Sequence, residues 1–139
     1  MILLDTSGLF AALVGNQRAH DAARRALERA RPPFVLSPFV LAELDSFFAR
    51  EAGVEAELLF LSEVAAGAYD LVSFLADDVD SAANVIENYR DLGIGLADAS
   101  IVVLAGRYRT VDLLTLDERH FRTLRTPQSK PFTILPADA

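Results

Sequence analysis

The chain reads as an α/β protein. Short apolar runs alternate with helical segments, the stretches between successive runs are too long for hairpins, and 52% of the residues are apolar, enough to cover a parallel sheet on both faces. Its 139 residues suit one domain spanning residues 1–139, with no internal repeat, low-complexity stretch or linker to divide it.

Ile2 to Leu4 is a strand that ends in Asp5-Thr6-Ser7-Gly8, and Leu9 to Val14 continues as one or two helical turns. From Arg18 to Ala30, Ala19, Ala22, Ala23, Ala26, Leu27 and Ala30 recur at helical spacing, with Arg18, Arg25 and Arg29 opposite. Arg31-Pro32-Pro33 stops this helix, Phe34 to Ser37 is a short buried strand, and Pro38 opens a helix over Phe39 to Glu51. Gly53 separates it from a helix over Val54 to Ala66, with Val54, Leu58, Leu61 and Val64 on one face. Tyr69 to Phe74 is a strand by its aromatic and β-branched content, and Ala76 to Tyr89 a helix. After the loop Gly93-Ile94-Gly95 come a helix over Leu96 to Tyr108, a strand over Leu113 to Leu116, a helical turn over Glu118 to Thr123 and a last strand over Phe132 to Leu135.

Composition narrows the chemistry. No cysteine is present, which removes disulfides, thiolate zinc sites and thiol nucleophiles, and nothing in the chain needs an oxidising compartment, so the cytoplasm is expected. With His20 and His120 the only imidazoles, a divalent metal would rest mainly on carboxylates, which favours a hard ion such as magnesium. The start lacks the basic residue of a signal peptide, and no segment offers the roughly 18 uninterrupted apolar residues of a membrane span. A net charge of −7 argues against coating nucleic acid by bulk charge, yet most of the twelve arginines gather into two local stretches, Arg18 to Arg31 and Arg107 to Lys130.

In a parallel sheet, ligands bind beyond the carboxyl ends of the strands, so acids there carry the information. Asp5 follows the first strand and Asp117 the fourth directly, Glu43 lies one turn into the helix after the second, and Asp98 lies in the first turn of the helix after the glycine loop. Each has a structural reading beside the functional one. Asp5 and Asp117 suit helix caps and Asp98 suits a helix dipole, whereas Glu43 among Leu41, Ala42, Leu44, Phe47 and Phe48 requires a partner. His120 reads as a solvated residue or cap on a short helix.

Four stretches in order, Asp5-Thr6-Ser7, Ser37-Pro38-Phe39-Val40-Leu41-Ala42-Glu43-Leu44-Asp45, Ile94-Gly95-Leu96-Ala97-Asp98-Ala99 and Leu114-Thr115-Leu116-Asp117 with His120-Phe121, resemble PIN-domain ribonucleases. More narrowly they are similar to the VapC toxins of bacterial toxin–antitoxin pairs, particularly the mycobacterial kind, and the likeness runs from Ile2 to about Pro136. It implies a PIN-like three-layer α/β/α fold and a magnesium-dependent endoribonuclease, with manganese able to substitute. Asp5, Glu43, Asp98 and Asp117 would then be the acidic, metal-holding centre, with Thr6, Ser7 and Thr115 orienting carboxylates or water. It also implies a structured RNA substrate, a ribosomal RNA loop or tRNA, whose cleavage stops translation, a homodimer, and silencing by a VapB antitoxin. Gly8 stands where many relatives carry alanine, and the pattern leaves Asp45 and Asp91 without a role.

The chemistry agrees with that implication: phosphodiester cleavage needs an activated water and neutralised phosphate charge, which a divalent ion supplies, and metal-bound hydroxide is favoured over an imidazole general base. Arginines must draw RNA to an acidic body, and Arg119, Arg122 and Arg125, following Asp117, are favoured over Arg18, Arg25 and Arg29. Phe10, Leu13, Val14, Phe47, Phe48, Leu59 and Phe60 are expected mostly in the core, some on a partner surface. A catalytically inactive binding module of the same fold is the alternative. A phosphoacceptor receiver domain is less suitable, because Lys130 precedes the last strand and no acid pair accompanies Asp5, and a haloacid-type phosphatase would need an acid where Ser7 stands.

Overall fold

A computed structural model describes all residues, Met1–Ala139. The strands are β1 (Ile2–Leu4), β2 (Phe34–Leu36), β3 (Asp70–Leu71), β4 (Asp112–Leu114) and β5 (Thr133–Leu135), and the helices are α1 (Thr6–Leu13), α2 (His20–Arg29), α3 (Pro38–Glu51), α4 (Val54–Ala65), α5 (Ala76–Asn88), α6 (Leu96–Tyr108) and α7 (Glu118–Phe121). The strands form one parallel sheet in the order β3-β2-β1-β4-β5. Leu3 pairs with Val35 on one side and Leu113 on the other, and Leu113 pairs with Ile134.

Successive strand residues face opposite sides, yet Ile2, Leu3 and Leu4 are each only 1% exposed, so helices cover both faces and the architecture is a three-layer α/β/α sandwich. Wholly apolar strands suit such a position because no face has to meet water. From β1 the chain builds outward through β2 and β3, then returns to the other side of β1 for β4 and β5. The strand order therefore reverses between β1 and β4, the point at which the loops leaving two neighbouring strands diverge and leave a crevice. No helix is long and apolar enough to cross a membrane.

Several boundaries differ from the sequence reading. Helix α1 begins at Thr6 and not at Leu9, because Asp5 is the last extended residue (φ −103°, ψ 157°) and the chain coils at once. Strand β4 ends at Leu114, so Asp117 does not follow it directly; Thr115 still donates its N–H to Leu135 (3.0 Å), after which the chain leaves the sheet. Strand β3 keeps only two residues, both exposed, since it is an edge with a partner on one side. Helix α4 buries Phe60 and Val64 but leaves Val54 and Leu58 exposed, so its inward face is rotated from the one expected.

Gly8 matters more than its alanine-bearing counterparts suggest. A Cβ built on it would stand 2.4 Å from the Leu114 carbonyl oxygen and 2.7 Å from the Thr115 nitrogen, both backbone atoms that cannot rotate away. Glycine lets α1 lie directly against the end of β4, which brings Ser7 to Thr115.

Candidate active site

The crevice between β1 and β4 gathers acids from distant parts of the chain. Asp5 occupies the N-cap position of α1 but makes no side-chain cap bond. It is buried, and its Oδ2 instead accepts hydrogen bonds from Thr115 Oγ1 (2.6 Å) and Ser7 Oγ (3.2 Å). The Thr115 hydroxyl also accepts the Asp117 N–H (2.9 Å), and Ser7 Oγ accepts the Leu116 N–H (3.0 Å). Two hydroxyls thus lock the end of β1 to the chain leaving β4, so Asp5 and Asp117 are positioned by one network.

Glu43 departs from its expected surroundings: it is exposed on α3 rather than enclosed by apolar neighbours. The partner it was expected to need is Thr6, whose Oγ1 donates to Glu43 Oε1 at 2.7 Å across the gap between α1 and α3. Asp98 lies in the first turn of α6. A buried pair that the sequence reading did not single out fixes that turn: Ser37, the N-cap of α3, meets Ser100 of α6 at 2.7 Å, and Ser100 donates to the Ala97 carbonyl (2.6 Å). The starts of α3 and α6 are thereby tied together, and with them Glu43 and Asp98. Helix capping by Ser37 was readable from Ser-Pro; its partner 63 positions away was not.

Asp117 does cap α7, its Oδ1 accepting the His120 N–H at 3.0 Å, but Oδ2 remains free for the crevice. There it lies 2.8 Å from His120 Nδ1, which is also 3.4 Å from Asp98 Oδ2. His120 is therefore not the solvated residue expected; it is 21% exposed and enclosed between two carboxylates. One ligand atom from each of Asp98, Asp117 and His120 falls within 4.8 Å of the others. Asp5 and Glu43 stand outside that triangle, close enough for their charge to act on Asp98.

Electrostatics mark the same place. Burial raises the Asp5 carboxyl to about 6, against the pull of hydrogen bonds from Thr115, Thr6 and Ser7 and with a further push from the Asp117 charge. Burial likewise raises Asp98 to about 7, assisted by Asp5, Asp117 and Glu43 and opposed by His120. Burial and neighbouring negative charge both favour the protonated form of a carboxyl, so these groups hold protons more tightly than free ones. Carboxylates of this kind are suited to a divalent cation, and Asp98 with Asp117 offers the hard oxygen donors such an ion prefers.

The arginines divide differently from the expectation. Arg122 is committed to Glu118 (2.8 Å) and Asp138 (2.7 Å), and Arg125 Nη1 is directed at backbone carbonyls of Arg122, Thr123 and Leu124. Arg122 would have to exchange these partners to meet a phosphate, whereas Arg125 is engaged through Nη1 alone. Arg119 is exposed and forms no ion pair, and so is Arg18, which lines a cleft of about 340 Å³ together with Thr6, Ser7, Phe10, Phe47 and Leu116. Arg18 was set aside because helical spacing places it on a solvated face. The cleft arises instead from the left-handed turn at Ala19 (φ 62°) that starts α2 beside α1. Asp45 on α3 and Asp91 in the 3-10 turn Arg90–Leu92 stay outside the acidic group.

A parallel sheet with this switch-point cluster is a PIN domain, and the chain belongs to that family: the model described as PIN domain matches residues 2–125. Within the family it is 42% identical over 135 residues to Ribonuclease VapC26 of Mycobacterium tuberculosis, covering 97% of this chain and 100% of that protein. The VapC resemblance carried by the four motifs is borne out. Among solved structures it is similar to VapC20 of M. tuberculosis, a toxin that cleaves the sarcin–ricin loop, with a TM-score of 0.78 at 19% identity over 84% of this chain and 90% of the other. A toxin–antitoxin complex from Klebsiella pneumoniae gives a TM-score of 0.67 at 20% identity, over 89% and 92%. These two establish the shared fold.

Proposed function

We propose that this chain is the toxin of a toxin–antitoxin pair, a divalent-metal-dependent endoribonuclease that cuts structured RNA and so halts translation. The observation that carries this reading is the convergence of Asp5, Asp98 and Asp117 at the β1/β4 crevice, with two of the three raised toward neutrality by burial and mutual repulsion. Metal-free carboxylates in that state are paid for in stability, and a magnesium or manganese ion relieves them.

Asp98 and Asp117 would hold the ion, with Asp5 beside them and Glu43 at the rim. Such an ion supplies charge neutralisation at the phosphate and acidifies a water. The chain's own groups set the geometry. Thr115 and Ser7 fix the Asp5 carboxylate, Thr6 fixes Glu43, and the Ser37–Ser100 bridge fixes the turn that bears Asp98. Arg18 and Arg119 are the cations free to meet phosphates flanking the cut.

Of the seven apolar residues expected to be shared between core and partner, Phe10, Phe48 and Phe60 are buried in the core, and the exposed Phe47 and Leu59 support the antitoxin. Phe10 and Phe47 line the cleft that opens at Thr6 and Ser7, and Leu13, Val14, Phe48, Leu59 and Phe60 line a second cleft of about 320 Å³ between α1, α3 and α4. An amphipathic VapB-type segment laid there would cover apolar surface and approach the acids. Val54, Leu58 and Leu59, each more than half exposed, give α4 an apolar face suited to that segment or to a second copy. A toxin of this kind would work in the cytoplasm, and a loop of the sarcin–ricin kind or a tRNA is the substrate class.

Incubating purified protein with total RNA and magnesium, then sequencing new 5′ ends, tests the reading. Discrete cuts that EDTA and Asp5→Asn both abolish are expected. Binding without cutting by the wild type would favour the inactive binding module.

A further inference from the structure

His120 belongs to the metal site itself. We infer that its Nδ1 is a direct ligand of the divalent ion, completing a set with one oxygen each from Asp98 and Asp117; the inference rests on the metal-dependent reading above. Three observations on the ring support it. Nδ1 is inaccessible to solvent and has no hydrogen-bond partner. Both carboxylates are nevertheless close, Asp117 Oδ2 at 2.8 Å and Asp98 Oδ2 at 3.4 Å, with neither in line to receive a ring N–H. The ring is also held in place: its own main-chain N–H is bound by Asp117 Oδ1 at 3.0 Å, and the i, i+3 spacing on α7 keeps both side chains on one side of the turn.

An imidazole nitrogen buried this close to two carboxylate oxygens needs either a proton of its own or a cation between them, and the absence of an aligned hydrogen bond to either oxygen favours the cation. The spacing suits one. Ligands at about 2.0–2.1 Å in an octahedral shell have neighbouring edges of about 2.8–3.0 Å, against the 2.8 Å and 3.4 Å found here. His20 offers no such arrangement, since its Nδ1 is 2.7 Å from the Ala11 carbonyl oxygen.

An imidazole donor changes which ion is held well. Carboxylates and water suit magnesium, whereas nitrogen favours ions further along the divalent series, so manganese and cobalt gain over magnesium. Even outer-shell partners of metal ligands are worth about 10–100-fold in affinity. His120→Gln is therefore expected to weaken manganese at least about tenfold and magnesium less, narrowing the preference while the chain stays folded by its melting curve.

Electron spin-echo envelope modulation on the full chain with one equivalent of manganese tests the contact directly. The expected spectrum shows imidazole ¹⁴N modulation that changes on ¹⁵N-histidine labelling, persists in His20→Gln and vanishes in His120→Gln. Bound manganese with no nitrogen coupling in the wild type would overturn the ligand role and leave the carboxylate site standing. Manganese that fails to bind at all would overturn the metal-dependent reading together with it.

Discussion

Two charged clusters flank Phe121, and they are built on opposite terms. Before it, Asp117 and His120 face Asp98 in a half-buried crevice where carboxylates outnumber any counter-charge, and Asp98 is raised to about 7 chiefly by burial. After it, Arg122 lies between Glu118 and Asp138 on an exposed surface, and its hydrogen bonds draw the Asp138 carboxyl down to about 2. The second cluster is complete and serves the fold, tying α7 to the chain after β5, since Asp138 Oδ2 also accepts the Ile134 N–H at 2.7 Å. The first leaves negative charge poorly compensated in a partly buried place, which costs stability, and groups perturbed in this way concentrate at functional sites.

Substitution on the two sides should separate these roles. Asp98→Asn is expected to lower RNA cleavage by at least about a hundredfold, the scale on which single electrostatic groups act in active sites, and to raise the metal-free melting temperature by removing a repelled, desolvated charge. Arg122→Ala should do the reverse, keeping most of the activity and lowering the melting temperature slightly, with the loss shrinking in high salt because exposed pairs are screened. Fragment release from a labelled RNA and thermal melts on the same samples read both effects.

Gly8→Ala probes the support beneath the first cluster. Overpacking typically costs about 1–3 kcal/mol, and here the displaced atoms are backbone at the end of β4, so Thr115 and Asp5 should lose register. Denaturant midpoints should fall, and cleavage should fall further than stability alone explains. An unchanged midpoint would show that α1 yields freely at this position.

The two clusters should also titrate in opposite directions. Asp5 and Asp98 ionise near 6 and 7 in the folded chain and near about 3.9 when unfolded. The folded state therefore binds more protons across that interval, and metal-free stability declines as pH rises from about 4 to about 7. Asp138 is lowered, so its contribution is present above the unfolded value and disappears as pH drops toward 2. Chemical denaturation across pH, with and without manganese, should show the first slope flattened by the ion and the second untouched.

Much of this was readable from the residues. Asp5 and Asp98 announced themselves because strand ends and helix starts are local patterns, and Asp117 because an acid directly followed an apolar run, although the strand itself stops at Leu114. His120 was visible three positions after Asp117, but its neighbour Asp98 is brought to it only by the chain's exit from β4, which local periodicity does not encode. Glu43 was expected to need a partner and has one in Thr6, but it is exposed and not enclosed as its apolar neighbours in sequence suggested, and Thr6 lies 37 positions away. For Arg122 and Arg125 nearness to the acids along the chain was plain; the Asp138 that engages Arg122 from beyond β5 is a tertiary fact, whereas the carbonyls of Arg122, Thr123 and Leu124 that engage Arg125 are local contacts past the end of α7.

What separates the two clusters most directly is whether the crevice and not the surface cluster takes up a divalent ion. Calorimetric titration of manganese into chelator-stripped protein answers it for the wild type, Asp98→Asn and Arg122→Ala side by side. A saturable site present in the wild type and Arg122→Ala but lost in Asp98→Asn is the predicted result, and equal heats in all three would contradict it.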